Sequence, residues 1–315
     1  MSAIVCTFNY VNRCVKLLLT LVKLYAINYV NRYEFITRYI FTGNKLLKPR
    51  RPILRWHGGK WILAPWIISH FPSHRVYVEP FGGAASVLLR KHPSYAEIYN
   101  DLDDQVVNLF RVVRESGDEL KHALMKTPFS RKEFDAAVEH TDDVFERARR
   151  TVIRSFMGFG SNGVHQKTGF RADSNRSGTT PAKDWANYPG ALDALIRRLQ
   201  GVVIEHRNAI DVMNAHDTEQ TLHYVDPPYV KSTRKDAGDD YAHEMTDDEH
   251  VQLLECLKSL KGKVVLSGYA SDIYDKSLDG WSKVEKTALA DGASKRTEVL
   301  WMNFETQPDL LTMAS

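Results

Sequence analysis

Cysteine is scarce in this 315-residue chain: Cys6, Cys14 and Cys256 are the full complement. None stands in a C-x-x-C pair, so neither a disulfide framework nor a zinc site is suggested, and a reducing compartment fits. A long uninterrupted apolar run is also missing. The segment VKLLLTLVKLY at 15–25 is broken by Lys16 and Lys23 and falls short of the roughly 20 apolar residues that a membrane span requires. No signal-peptide cleavage pattern comes after it. There are no internal repeats and no P-loop of the G-x-x-x-x-G-K-[ST] type. Large charge excess of either sign is lacking too, since the net charge is +3.

That small total hides two local excesses. Residues 1–51 carry nine Lys and Arg against the single acid Glu34. They read as a basic extension, helical or without fixed order, separate from the remainder of the chain. From Arg147 to Gln200 ten basic residues face three acids. This second tract suits either a solvated face or a phosphate-binding surface.

The patterned part begins near Ile53. HRVYVEP (74–80) alternates as a strand and ends at Pro80 and two glycines, and GAASVLLRK (83–91) reads as helix. AEIYND (96–101) is a second strand, followed by a helical pattern through QVVNLFRVVRE (105–115). Strand, glycine turn, helix and strand in that order make a βαβ unit. Helices come next: one opens with Ser130 and Glu133 as a capping box, and another spans VFERARRTVIRSFMG (144–158). Residues 158–190 are rich in Gly, Ser, Asn and Thr with basic and aromatic residues between them, and read as a long loop or hairpin region, of a kind that is usually functional or disordered. After a helix at 191–199 come five strand patterns, at 202–206, 221–229, 263–269, 281–286 and 297–304. The helix at 246–260 carries a second capping box, Thr246 to Glu249, and is expected to bury Val251, Leu254 and Leu257. The fold class is therefore α/β: an open Rossmann-like sheet with a mostly helical insertion.

Four stretches carry chemistry. In YVEPFGGAAS, Gly82 and Gly83 let main chain approach a ligand closely. The G-x-G-x-x-G dinucleotide fingerprint is absent from this turn, which argues against a nicotinamide-dependent dehydrogenase. Asp101 closes the second strand, 19 residues after Gly82. It is placed either to accept ribose hydroxyls or to cap the next helix, a task Asp103 can also perform. RWHGGKW (55–61) offers a flexible turn, a cation at Lys60 and an aromatic face at Trp56. DPPY (226–229) is the strongest signal. Ligands of open α/β sheets lie beyond the carboxyl ends of the strands. There the diproline turns the Pro227 carbonyl, rather than an N–H, toward the site. Asp226 and that carbonyl are paired acceptors for an –NH2 group, and Tyr229 is a flat face for a base.

The ordered set RWHGGK, YVEPFGGAAS, YNDLD, DPPY, LSGY and RTEVLWMN resembles the Dam-like DNA adenine-N6 methyltransferases over roughly Arg55 to Phe304. The resemblance implies S-adenosyl-L-methionine as cofactor, contacted by Trp56, Lys60, Glu79, Phe81, Gly82, Gly83, Asp101 and Asp226. It implies that Asp226, Pro227 and Tyr229 hold a flipped-out adenine. It also implies a catalytic region of residues 52–114 and 201–308 and a target-recognition insertion at 115–200. Within that insertion Asn162, Lys167, Arg171 and Arg176 are the expected contacts to double-stranded DNA. A cytosine-N4 methyltransferase is the alternative, because that amine asks for similar acceptors. No metal and no membrane are expected, and a cytoplasmic monomer is. Relatives carry glycine where this chain has Ala84 or Ala85, and Asn where it has Asp103.

Overall fold

In a computed structural model of the protein, residues 48–175, 178–234, 241–289 and 295–305 are described. A compact unit begins at Lys48. Arg51, the last residue of the basic tract, belongs to it: its guanidinium donates to the Asp184 carbonyl at 3.3 Å and lies 5.6 Å from the Phe156 and Tyr188 rings.

Seven strands form one sheet: β1 (Val76–Glu79), β2 (Ala96–Asn100), β3 (Val202–Glu205), β4 (Thr221–Val225), β5 (Lys263–Gly268), β6 (Ser282–Leu289) and β7 (Lys295–Met302). Their order is β3-β2-β1-β4-β5-β7-β6. The first five are parallel, with Val76 opposite both Ala96 and Thr221. β7 runs antiparallel between β5 and β6. Every residue of β4 is buried, as expected of a parallel strand covered on both faces. The chain leaves β1 toward β2 and β3, then returns to add β4 on the other side. That reversal opens a crevice at the carboxyl ends of β1 and β4, where Glu79 and Asp226 stand.

All seven strand patterns are found in the sheet. β4 stops at Val225 rather than at residue 229, because two prolines remove consecutive ladder donors. The 158–190 stretch is not one loop. It contains a helix at Pro181–Asn187, capped by the Thr180 hydroxyl with Pro181 in the first turn, a combination favoured at helix starts. The capping box at Thr246 forms, and the helix Asp247–Ser259 buries His250, Leu253, Leu254 and Leu257. Val251 is 42% exposed against the sequence expectation, because the inward face repeats at i, i+3, i+4 and i+7 from His250. Helices at Ala64–Ser69, Ala209–Ala215 and Asp272–Ser277 are too short to show a period in sequence.

The region between β2 and β3 is mainly helical, with Gly117–Lys126, Arg131–Ala136, Val144–Met157, Pro181–Asn187 and Leu192–Leu199. It is bolted to the sheet. Arg198 grips Glu97 of β2 at 2.6 and 2.9 Å, and Lys91 meets the same carboxylate at 2.5 Å. The Ser155 hydroxyl accepts from Arg55 N at 2.7 Å, and the Tyr188 hydroxyl donates to the Ile53 carbonyl at 2.7 Å. These last two bonds fix the irregular segment that leads into Trp56 and Lys60. Among the described residues, no helix is long and apolar enough to cross a membrane.

Candidate active site

The turn after β1 is pressed between two aromatic rings. A Cβ on Gly82 would fall 2.1 Å from Tyr99 Cε2, and one on Gly83, whose φ is +46°, would fall 2.6 Å from Trp56 Nε1. Neither position admits a side chain. The turn is held by Gly82 N donating to the Asn100 carbonyl at 2.8 Å and by Gly83 N donating to Asp101 Oδ2 at 2.7 Å. Tyr99 in turn donates its hydroxyl to the Gly83 carbonyl at 2.8 Å. Gly82→Ala is therefore expected to lose about 1–3 kcal/mol of stability through overpacking, measured by urea unfolding. An unchanged midpoint would show that the turn can retreat from Tyr99. Ala85 adopts φ 50°, ψ 38°, a left-handed conformation that costs a non-glycine residue about 1 kcal/mol.

Asp101 and Asp103 divide their work. Asp103 caps the helix Asp104–Glu115 by accepting from Gln105 N at 2.9 Å. Asp101 accepts from Gly83 N and from Asp103 N, one bond to each oxygen, which leaves each oxygen a second lone pair. Burial pushes its carboxyl above the usual range, and the two backbone donors pull it back only in part. Glu79 accepts from the Tyr77 hydroxyl at 2.6 Å and from Leu88 N at 2.9 Å. Burial nonetheless pushes it up to about 8.

A single cleft collects most of the residues singled out by sequence: Trp56, Lys60, Glu79, Phe81, Gly82, Gly83, Asp101, Asp226 and Pro227 all line it. Among the described residues six acidic side chains border it, from Glu79, Asp101, Asp103, Asp226, Glu244 and Glu249, against one lysine, Lys60, with Glu79 kept largely protonated near neutral pH by its burial. Such a donor set suits a ligand that carries positive charge.

At the end of β4, Asp226 Oδ1 accepts from the Ser267 hydroxyl at 2.8 Å, and Oδ2 lies 2.9 Å from Lys60 Nζ. Lys60 also donates to the Gly58 carbonyl at 2.8 Å and stands 3.9 Å from Glu298 Oε1. Burial opposes its charge, but the Asp226 and Glu298 carboxylates outweigh burial and raise its pKa above the ordinary value. Lys60 thus serves as the counter-ion of the diproline corner. Tyr229 departs from the sequence reading. Its ring is 6% exposed and packs edge-on to Tyr269 at 4.5 Å, and its hydroxyl donates to Glu298. It does not border the cleft. Drawn to that buried carboxylate, it offers no open face for a base in this arrangement.

Two residues that sequence reasoning left without a role stand here. Glu298, on β7, joins Lys60 to Tyr229. Tyr241 borders the cleft, 5.5 Å from the His57 ring, with the Arg234 guanidinium 4.9 Å from its own. Arg234 is clamped to Glu244 at 2.7 and 2.8 Å, so it braces this wall. Lys235 of the same loop lies outside the described residues.

The proposed DNA contacts fare unevenly. Lys167 is exposed and Asn162 partly so. Arg171 is 8% exposed and pairs with Asp184 at 3.2 Å, so it is a structural residue here. Arg176 lies outside the described residues. Much of the basic tract is likewise engaged internally: Arg147 with Asp104, Arg149 with Glu133 and Glu146, Arg150 with Glu146, and Arg198 with Glu97. From the same segment as Lys167, His165 reaches back, its Nε2 2.8 Å from Asp103 Oδ2 and its ring 5.1 Å from Trp56. The string GFGSNG at 158–163 has dinucleotide-type spacing but comes after a helix rather than a strand, so it lacks the context that gives the motif meaning. Among the described residues, no cluster of three or more His, Cys, Asp or Glu is arranged to hold a metal ion.

A mostly parallel seven-stranded sheet with an acidic cleft at its switch point and a D-P-P-Y corner beside it defines an α/β methyltransferase. The model of the D12 class N6 adenine-specific DNA methyltransferases matches residues 56–291, and the chain belongs to that family. It is similar to the Type II methyltransferase M.CviBI of Paramecium bursaria Chlorella virus NC1A, with 23% identity over 246 residues, 75% of this chain and 89% of that protein. It is also similar to the DNA adenine methylases of Serratia marcescens (36% over 73 residues) and Escherichia coli K12 (36% over 77 residues). Those matches span 23% and 24% of this chain, and 27% of each methylase. The enzyme is thus an adenine-specific DNA methyltransferase.

Proposed function

We propose that the chain moves a methyl group from S-adenosyl-L-methionine to N6 of an adenine swung out of duplex DNA, with Asp226 and the Pro227 carbonyl as acceptors for the amine. The observation that carries this reading is the shared cleft: Asp226 and Pro227 border the same space as Glu79, the glycine turn and Asp101. When bound, the cofactor supplies a methyl on a positively charged sulfur. The acidic border attracts that charge, and Asp101 keeps lone pairs for ribose hydroxyls. Gly82 and Gly83 leave the cleft floor as bare main chain. On the acceptor side, hydrogen bonds from the two amine protons to Asp226 and Pro227 favour a pyramidal nitrogen with a localised lone pair. Asp226 meets the positive charge that develops there. Positioning both reactants supplies much of the remaining acceleration.

An amine inside a duplex is out of reach, so the base must leave the stack. Aromatic contact with the extruded base comes in this proposal from Tyr241, which borders the cleft, while Tyr229 fixes Glu298 and Lys60. We assign residues 115–200 to DNA contact, with Lys167 on phosphate and Asn162 near base edges. The test is to incubate the protein with duplex DNA and S-adenosyl-L-methionine, digest the DNA and analyse the nucleosides by mass spectrometry. N6-methyladenine is expected. N4-methylcytosine in its place, or no methylated nucleoside, overturns the proposal.

A further inference from the structure

We propose that Glu298 is a positioning residue for the transfer step, a second carboxylate that keeps the Asp226–Lys60 pair net negative while positive charge grows on the amine. This rests on the amine-acceptor reading above. Asp226 alone cannot do what that reading asks. Its Oδ2 lies 2.9 Å from an ammonium that is 6% exposed. A one-to-one pair of this kind is neutral seen from outside, and its field on an approaching cation is largely cancelled. Adding Glu298 changes the sum: one ammonium now faces two carboxylates, and the cluster carries net charge −1. Nζ stands 3.9 Å from Glu298 Oε1, so Lys60 is shared rather than given wholly to Asp226.

The surroundings of Glu298 are consistent with a role for its charge. It is 5% exposed on β7. Facing or flanking it are Lys60 on the segment before Ala64–Ser69, Asp226 and Tyr224 of the β4 end, Tyr229 beyond the prolines, and Tyr269 after β5. Arg296 lies 5.5 Å from the Tyr269 ring, and Lys286, the cross-strand partner of Glu298 on β6, reaches instead to Trp66 at 5.6 Å. Among the described residues Lys60 is therefore the cation paired with Glu298. A neutral glutamine in the same place could still accept the Tyr229 hydroxyl, so that bond does not call for a carboxylate. A buried carboxylate is costly unless something needs its charge. Burial, opposed by Lys60, lifts Glu298 to about 7. Below that pH Glu298 is neutral and the cluster loses its net charge, and above it the charge is present.

The experiment measures single-turnover methylation and steady-state kcat and KM from pH 6 to pH 9 for wild type, Glu298→Gln and Glu298→Asp. Wild-type kcat is expected to rise with pH through about 7. Glu298→Gln should run flat, with kcat about tenfold or more below wild type at pH 8 and with KM for DNA and for cofactor changed less than about threefold. Glu298→Asp should restore the pH-dependent limb. The Tm of Glu298→Gln at pH 8 should not fall, because the native state no longer holds an ionised acid whose folded-state pKa lies above its unfolded value. Wild-type kcat with an intact limb in Glu298→Gln overturns the role of Glu298, as does a loss of activity matched by a loss of Tm that Glu298→Asp does not share. A wild-type protein that transfers no methyl group overturns the parent reading instead.

Discussion

Asp226→Ala is expected to lower the single-turnover rate of methyl transfer by about 10³-fold, the loss that results from removing one pre-oriented group at a centre of developing charge. Binding of the cofactor should survive in large part. Glu79, Asp101 and the glycine turn line the cleft as well and are untouched by the substitution. The fold should survive as well. The lost carboxylate is 16% exposed, and Lys60 keeps Glu298 and the Gly58 carbonyl as partners. Asp226→Asn refines the result, since it keeps the shape and one acceptor while removing the charge. Rates should rank wild type, then Asn, then Ala. A turnover near wild type in the alanine variant would falsify the amine-acceptor role outright.

Lys60→Met should have the largest effect on stability. It leaves the Asp226 and Glu298 carboxylates in one largely buried site with no ammonium between them. Removing one partner of a buried pair costs about 3–5 kcal/mol. The cost should depend on pH in a defined direction. Glu298 already sits at about 7 with Lys60 in place, and without it the carboxyl is held higher still. The native state then binds a proton that the unfolded chain releases near its ordinary value, so stability falls as pH rises through and beyond 7. Urea unfolding at pH 6 and pH 8 should show a greater deficit at pH 8. Equal deficits at both would mean that the repulsion between the two acids is relieved by movement rather than by protonation.

The parts of this enzyme that sequence revealed are those whose meaning is local. The stiff corner after Asp226 is announced by two adjacent prolines, although the strand pattern ran past Val225, and the turn at Gly82 and Gly83 is announced by the absence of side chains. Thr246 and Glu249 announce their helix because both halves of the capping box lie within one turn. What stayed hidden depends on partners distant in sequence. Glu298 is 69 residues from Tyr229 and meets Lys60 only because β7 inserts antiparallel between β5 and β6. No periodicity encodes that insertion. The same distance explains Tyr229: an aromatic residue beside DPP reads as a stacking surface until its hydroxyl is seen to belong to a glutamate elsewhere. Arg171 misleads in the opposite way. In composition it adds to a basic surface, and in the fold it closes on Asp184, 13 residues away.

The unequal walls of the cleft bear on how this enzyme can be redesigned. On the sheet side the lining at Gly82 and Gly83 is bare backbone seated against Tyr99 and Trp56, so there is nothing left to trim. Extra room has to come from the side chains that share the cleft, among them Tyr241, an aromatic residue that can be shortened. Engineering a wider cleft therefore begins at such side chains, and the main-chain floor sets its lower limit.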